Sequence, residues 1–230
     1  MIVYGRNPVR EALRGRRRVA RIWAAGSAPR EPWVQETGVP VSIVSAEDVE
    51  RLAGSREHQG ICAEVSAFCY AAEAELLGAR APVLVALDQV QDPQNLGAIC
   101  RSAECAGATG VVIPERRSAE VTAAVCKASA GAVEHLPVAR VRNLADFLSE
   151  AKQAGLWCYG AQAGAALRYD QVDWSGGSAI VLGSEGRGLR PRVAGACDAM
   201  VSIPLRGRIE SLSVSATAAV LVYAATSGRA

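Results

Sequence analysis

The sequence predicts an α/β protein whose larger part is built on a parallel sheet. Three observations predict it. Residues 83–87 form an apolar, β-branched run, short enough for a strand buried on both faces. Asp92-Pro93 then offers a helix N-cap followed by proline at the first helical position. Leu96, Ile99, Cys100 and Ala103 continue it as one apolar helical face, with Gly107 near its end, and a second apolar run at 111–113 completes a strand–helix–strand unit. The same alternation recurs to the C-terminus, which implies a parallel sheet covered on both faces.

In chain order, Asn7-Pro8 predicts a helix start leading into 9–13, and 21–24 and 41–44 predict strands. A short helix over 46–52 follows, then Glu57-His58-Gln59-Gly60 and an alternating strand at 61–65. These elements make a small α/β domain close to the lower size limit for a self-sufficient core. An alanine-rich stretch at 71–80, part helical, is the expected linker. The expected division is therefore a domain over 1–67, a linker over 68–81 and a second domain over 82–230. In the second domain, a small-residue helix is expected over 119–129, a strand over 136–141, a helix over 143–154 and a strand over 156–160. Residues 179–182 then form a strand that opens onto Gly183-Ser184-Glu185-Gly186-Arg187-Gly188-Leu189. Pro191 starts a brief helix, 200–203 is the last strand, and 212–225 the closing helix.

Composition narrows the function classes. Half of the 230 residues are hydrophobic, which supports a packed core and argues against disorder. No apolar run reaches membrane-spanning length and no signal-peptide core opens the chain, so a soluble, cytoplasmic protein is expected. Seven cysteines occur without a CxxC pair. Cys62, Cys100, Cys105, Cys126 and Cys158 sit among apolar neighbours, as reduced, buried thiols do. The net charge is only +2, but Arg6, Arg10, Arg14, Arg16, Arg17, Arg18 and Arg21 crowd the N-terminal segment around the single acid Glu11. That cluster is the electrostatic footprint of a phosphate backbone, or else a solvated face in an arginine-rich protein.

Three stretches carry chemical potential. Asn95 and Arg101 lie in or beside the first half of a helix at the carboxyl end of a buried strand, where open α/β sheets place their ligands. The glycines of 183–188 follow another apolar strand and allow a close backbone approach, although no GxGxxG fingerprint is present. Ile203-Pro204-Leu205-Arg206-Gly207 leads to Glu210-Ser211-Leu212-Ser213, where either serine can cap the last helix.

Together and in this order, the three stretches resemble the motifs of the SpoU/TrmH superfamily of ribose 2′-O-methyltransferases, whose fold is called SPOUT. Tyr4-Gly5, His58-Gln59-Gly60-Ile61, and residues 114–119 and 137–143 look like its RlmB-type branch, which methylates a guanosine ribose in large-subunit (23S) ribosomal RNA. The resemblance implies a SPOUT parallel-sheet domain with a C-terminal trefoil knot, an exception to the usual topology rules. It further implies a preceding RNA-binding domain similar to ribosomal protein L30e, and an obligate homodimer. S-adenosylmethionine would lie against Gly160, Ala161, Leu182, Gly183, Gly186, Ile203, Leu205, Leu212 and Ser213. Arg101 would be the central catalytic residue, Asn95 would orient the loop or the ribose, Glu185 would fix Arg101 or substrate, and Ser211 would hydrogen-bond to one of them. Arg6, Arg10, Arg17, Arg18, His58 and Gln59 would contact RNA. The implied chemistry needs no metal, and the sequence offers no cluster of metal ligands.

One departure stands out. The third motif usually reads Ser-Leu-Asn, whereas this chain has Ser211-Leu212-Ser213. A hydroxyl cannot present an amide's separate donor and acceptor, so the hydrogen bonding here must differ. A relative acting on transfer RNA or conferring ribosome-directed antibiotic resistance is the alternative enzyme. A non-catalytic RNA-binding or ribosome-assembly factor is the alternative class.

Overall fold

A computed structural model describes residues 1–227. Two sheets organise them. The first is built from β1 (Ile2–Tyr4), β2 (Val19–Ala24), β3 (Val41–Ile43) and β4 (Ile61–Val65), with helices α1 (Arg6–Arg14), α2 (Pro32–Gln35) and α3 (Ala46–Ala53) between them. Its order is β1-β4-β2-β3, with β4 antiparallel to both neighbours and β2 parallel to β3. Helix α1 buries Pro8, Val9 and Ala12, leaving its arginines on the outer side. Ser45 caps α3 by accepting from the Asp48 N–H, and Gly54 closes it in the left-handed conformation.

After α4 (Glu73–Leu77) comes a seven-stranded sheet. Its elements are β5 (Val83–Asp88), α5 (Pro93–Cys105), β6 (Gly110–Pro114), α6 (Ala123–Ala128), β7 (Val138–Val141), α7 (Leu144–Gln153), β8 (Trp157–Ala161), β9 (Leu167–Arg168), β10 (Ser178–Gly183), α8 (Pro191–Ala194), β11 (Ala199–Ser202) and α9 (Val214–Thr226). The order is β7-β6-β5-β10-β8-β11-β9 and every pairing is parallel. Strands β5 and β10 are buried almost throughout, as a sheet covered on both faces requires. The chain builds outward from β5 to β7, then returns beyond it, and β10 inserts between β5 and β8. The strand order therefore reverses beside β5 and β10, and a crevice opens at their carboxyl ends.

The two sheets share a continuous core. Val3, Val9 and Ile61 belong to the same buried cluster as Leu96, Cys126 and Val133. Polar ties reinforce the seam: Lys127 Nζ donates to the Glu57 carbonyl at 2.8 Å, and His135 Nε2 lies 3.0 Å from Glu11 Oε2. Gly5, with φ at 95°, lets Lys127 and Gln59 approach the backbone, since a Cβ there would sit 2.8 Å from Lys127 Nζ.

The expected linker carries the helix α4 and is docked on the larger sheet: the Ala71 N–H donates to the Val138 carbonyl at 2.8 Å, and Leu76 of α4 is buried against β6 and β7. Two expectations change. The helix expected over 119–129 begins only at Ala123. The N–H groups of Ala119 and Val121 are taken by the Val90 carbonyl and the Tyr70 hydroxyl, which holds that stretch extended. Cys105 is exposed at the end of α5, unlike buried Cys62, Cys100, Cys126 and Cys158, because it falls on the helix's outer stripe. No described helix is long and apolar enough to cross a membrane.

Candidate active site

A cavity of about 560 Å³ opens at the carboxyl ends of β8, β10 and β11. That size falls within the range of small-molecule sites, roughly 300–1,000 Å³. Of the residues that the family resemblance places against the cofactor, Ala161, Leu182, Gly183, Gly186, Ile203, Leu205, Leu212 and Ser213 line this cavity. Gly160 does not. It packs behind the wall, where an added Cβ would lie 2.7 Å from Met200 Sδ and 2.9 Å from Leu189 Cδ1.

The lining mixes glycines and apolar side chains with a few polar ones, Gln162, Ser184, Glu185, Ser211, Ser213 and Thr217, as sites for small heteroaromatic ligands do. The loop after β10 is folded tightly on itself, with the Gly188 N–H donating to the Ser184 carbonyl at 2.9 Å. A Cβ on Gly183 would lie 2.0 Å from the Gly188 carbonyl carbon, so only glycine permits this crossing. The loop is anchored from below by Asp88, fully buried at the end of β5. Its carboxylate accepts from the Arg190 N–H at 2.8 Å and from Arg190 Nε at 2.7 Å. Sequence reasoning missed this clamp, since a charged residue at a strand end carries no local signal of its partner.

Asn95 bridges two motifs. Its Nδ2 donates to Glu185 Oε1 at 2.7 Å and to Asp92 Oδ2 at 3.2 Å, while Asp92 caps α5 by accepting from the Gln94 N–H. Glu185 lines the cavity, so this hydrogen bond joins α5 to the cavity rim. Glu185 thus holds Asn95, not Arg101. Arg101 sits on the exposed stripe of α5 with Asn95, Ala98 and Ser102, roughly 9 Å further along the helix axis. Its guanidinium has no hydrogen-bond or ion-pair partner among the described residues.

Ser211 lines the cavity but makes no hydrogen bond among the described residues, so its expected bond to the other motif residues is not formed. Ser213 is the N-cap of α9, accepting from the Ala216 N–H at 3.2 Å. The substituted serine therefore keeps the capping role. Thr217 and Leu221 also face the cavity. Their spacing of four from Ser213 is the signal that sequence reasoning passed over.

The expected RNA contacts divide. Arg17 is not available: its side chain is 5% exposed and it pairs with Glu134, itself 1% exposed, with Nε to Oε2 at 2.9 Å. The guanidinium also stacks over Phe68 and reaches the Ser66 carbonyl, so it locks the two sheets together. Arg6 pairs with Glu31 at 2.7 Å and Arg10 with Glu11 at 3.2 Å. The side chain of Arg18 is exposed and unpaired among the described residues. His58 Nδ1 accepts from the Gly60 N–H, and Gln59 Oε1 accepts from the Arg6 N–H, each at 3.0 Å.

Comparison with known proteins fits this arrangement. The profile described as the SpoU rRNA Methylase family matches residues 82–223, which contain both sides of the cavity. The chain belongs to the SpoU methylase family. A second profile, described as RNA 2′-O ribose methyltransferase substrate binding, matches residues 2–71 and so covers the first sheet. Among curated SpoU-type relatives, a Bacillus subtilis protein named putative TrmH family tRNA/rRNA methyltransferase YacO is 37% identical over 232 residues, spanning 96% of this chain and 93% of that one. A tRNA/rRNA methyltransferase of Mycolicibacterium vanbaalenii, named as uncharacterized, is 41% identical across 96% of this chain and 74% of its own length. Of solved structures, the SpoU methyltransferase AviRb from Streptomyces viridochromogenes, in complex with AdoMet, superposes with a TM-score of 0.84 at 22% identity, over 100% of this chain and 90% of that chain. The A. aeolicus TrmH/SpoU tRNA modifying enzyme gives 0.57 at 23% identity, over 68% and 80%. The α/β architecture is that of the SpoU methyltransferases.

Proposed function

We propose that this chain is an S-adenosylmethionine-dependent RNA ribose 2′-O-methyltransferase acting on a guanosine of large-subunit 23S ribosomal RNA. The observation that carries the reading is the Asn95–Glu185 hydrogen bond, which joins the first motif to the rim of a glycine-walled cavity lined by the second and third. The cavity fits the cofactor by size and by a largely glycine and apolar lining with a few polar side chains. When bound there, S-adenosylmethionine supplies an electrophilic methyl group on its sulfonium.

The residues of this chain prepare the acceptor. A ribose 2′-hydroxyl is a weak nucleophile until its proton is lost or shared. A guanidinium is a poor base. The unpaired guanidinium of Arg101 instead clamps the phosphate next to the target ribose and stabilises charge developing on the 2′-oxygen, with that phosphate as proton acceptor. Asn95, held through its amide nitrogen, keeps its carbonyl oxygen free to orient the ribose. Glu185 sets Asn95 and the loop, and Ser211 stands free on the cavity rim for substrate.

The reading includes a homodimer. Helix α9 is apolar nearly all round, as a helix buried on every side would be. Its Tyr223 is nonetheless 51% exposed, and Ile209 in the preceding loop 77%. A partner subunit covering this face would also bring its own groups toward Arg101. The insertion of β10 between earlier strands, with α9 packed back on α5 and β5, supports the knotted connection. The units over 1–67 and 82–230, joined by the docked segment 68–81, are the RNA-binding and methyltransferase domains of this reading. Arg6, Arg10, Arg18, His58 and Gln59 form its N-terminal RNA surface. Transfer of labelled methyl from S-adenosylmethionine to 23S ribosomal RNA, followed by mapping of the labelled ribose, tests the whole reading. Transfer RNA labelled in preference would redirect the substrate assignment.

A further inference from the structure

A second cleft, of about 640 Å³, lies on the carboxyl edge of the parallel sheet and is lined by Arg116, Arg117, Arg142, Arg190 and Arg192. Two of these are committed: Arg190 to Asp88, and Arg192 to Asp146 at 2.8 Å. Arg116, Arg117 and Arg142 are exposed and have no ion-pair or hydrogen-bond partner among the described residues. Three like charges in one trough repel one another unless an anion is present. Helix α7, ten residues long, adds the positive end of its dipole to the same cleft.

The backbone is bent to serve this arrangement. Gln89 and Arg117 both line the cleft, and both hold left-handed φ values, 61° and 58°, that non-glycine residues rarely adopt. The turn bearing Arg117 is pinned by the Ala119 N–H and Ser118 Oγ, which both donate to the Val90 carbonyl. The cleft adjoins the candidate active site through shared segments. Gln89 leads into the Asp92 cap of the helix bearing Asn95 and Arg101, and Arg190 ends the loop that walls the cofactor cavity.

We propose that this arginine cleft seats phosphates of the RNA strand flanking the target nucleotide, and so sets which strand segment reaches Arg101. The inference rests on the methyltransferase reading above. Guanidinium groups grip phosphate oxygens bidentately, and contacts to the backbone fix register without reading bases. Three free arginines along one trough match successive phosphates better than a single small anion.

The test uses the full chain with Arg116, Arg117 and Arg142 all changed to Ala, and in parallel all changed to Lys. RNA affinity is measured against salt with a single-stranded 23S ribosomal RNA fragment that the wild type methylates. The Ala variant should bind on the order of tenfold to a hundredfold more weakly, and its slope of log K against log[salt] should flatten by about 2, from roughly 0.7 for each of three phosphates. The Lys variant should keep the slope but lose part of the affinity, because charge remains while the bidentate fork is gone. S-adenosylmethionine binding by calorimetry should be unchanged in both, which shows that the fold survives. Wild-type affinity and slope in the Ala variant would overturn the cleft while leaving the methyltransferase reading intact. Binding of inorganic pyrophosphate, but not RNA, through these arginines would also overturn it. A wild type that methylates no RNA would sink both.

Discussion

Gly183→Ala is the sharpest probe of the cavity wall. The new Cβ would stand 2.0 Å from the Gly188 carbonyl carbon, 2.3 Å from its oxygen and 2.4 Å from the Leu189 nitrogen. All three are backbone atoms, so no side chain can swing away. Ordinary contact begins near 3.4 Å, so the loop from Ser184 to Leu189 must retreat by more than an ångström. Its far end is fixed by the Asp88–Arg190 clamp, so the retreat deforms the cavity rim rather than carrying the loop away whole. Overpacking of this kind costs about 1–3 kcal/mol. Borne by cofactor binding, that is roughly a fivefold to 150-fold weaker Kd. Gly186→Ala gives the internal comparison. Its φ of 76° strains an alanine, but a Cβ there meets nothing within 4 Å, so only about 1 kcal/mol is lost. Calorimetric titration of both variants with S-adenosylmethionine should rank Gly183→Ala well below Gly186→Ala in affinity, at a temperature where thermal melts show both folded. Equal affinities for Gly183→Ala and wild type would refute the assignment of this wall to the cofactor.

Other consequences concern the seam and the thiols. Glu134→Gln leaves Arg17 charged and buried, and should cost about 3–5 kcal/mol, while the Arg17→Met, Glu134→Leu pair should recover most of it; denaturant melts of the single and double variants measure the coupling. That loss corresponds to a fall in Tm of about 6–20 °C for a chain of this size. Native protein at pH 8 should label fastest at exposed Cys69 and Cys105, and more slowly at half-buried Cys197, whose thiol burial pushes up to about 11. Burial pushes the Cys62 and Cys126 thiols up to about 11 and those of Cys100 and Cys158 to about 12, so a mass spectrum showing those four labelled before unfolding would contradict the packing. Burial raises the Glu11 pKa, but hydrogen bonds from His135 and Arg10 and the charge of Arg14 outweigh it and hold the group below the usual carboxylate range. Its stabilising contribution is therefore complete above the unfolded carboxylate value and is lost as pH falls through the lowered native one. Glu11→Gln should remove that part of the acid limb in a stability–pH profile.

Much of this molecule is legible from local pattern. The buried run 83–87, the Asp92-Pro93 start of α5 and the closing helix are each specified by residues within a few positions of one another. What depends on distant partners is not legible. Arg17 reads as one more basic residue until Glu134, 117 positions away, neutralises it in the core. The extended stretch before α6 reads as helix because the groups that claim its N–H donors, Val90 and Tyr70, come from elsewhere in the fold. Within the site, the family resemblance points to ten residues of the cavity lining, from Ala161 to Ser213, but not to Gln162, Val201, Thr217 or Leu221, whose place on the wall depends on how strand ends and α9 pack together. The Asp88–Arg190 clamp and the Asn95–Glu185 bond emerge only when β10 lies beside β5.

The most direct measurement of the central claim is methyl transfer from labelled S-adenosylmethionine to 23S ribosomal RNA, by wild type and by Arg101→Ala. Arg101 lies outside the cavity lining, so the variant should bind cofactor as the wild type does. Label should appear on a ribose 2′-oxygen with wild type and fall by about a hundredfold or more in the variant, the scale of losing one preorganised charge stabiliser. Transfer undiminished in Arg101→Ala, or label carried on a base instead of a ribose, would contradict the account.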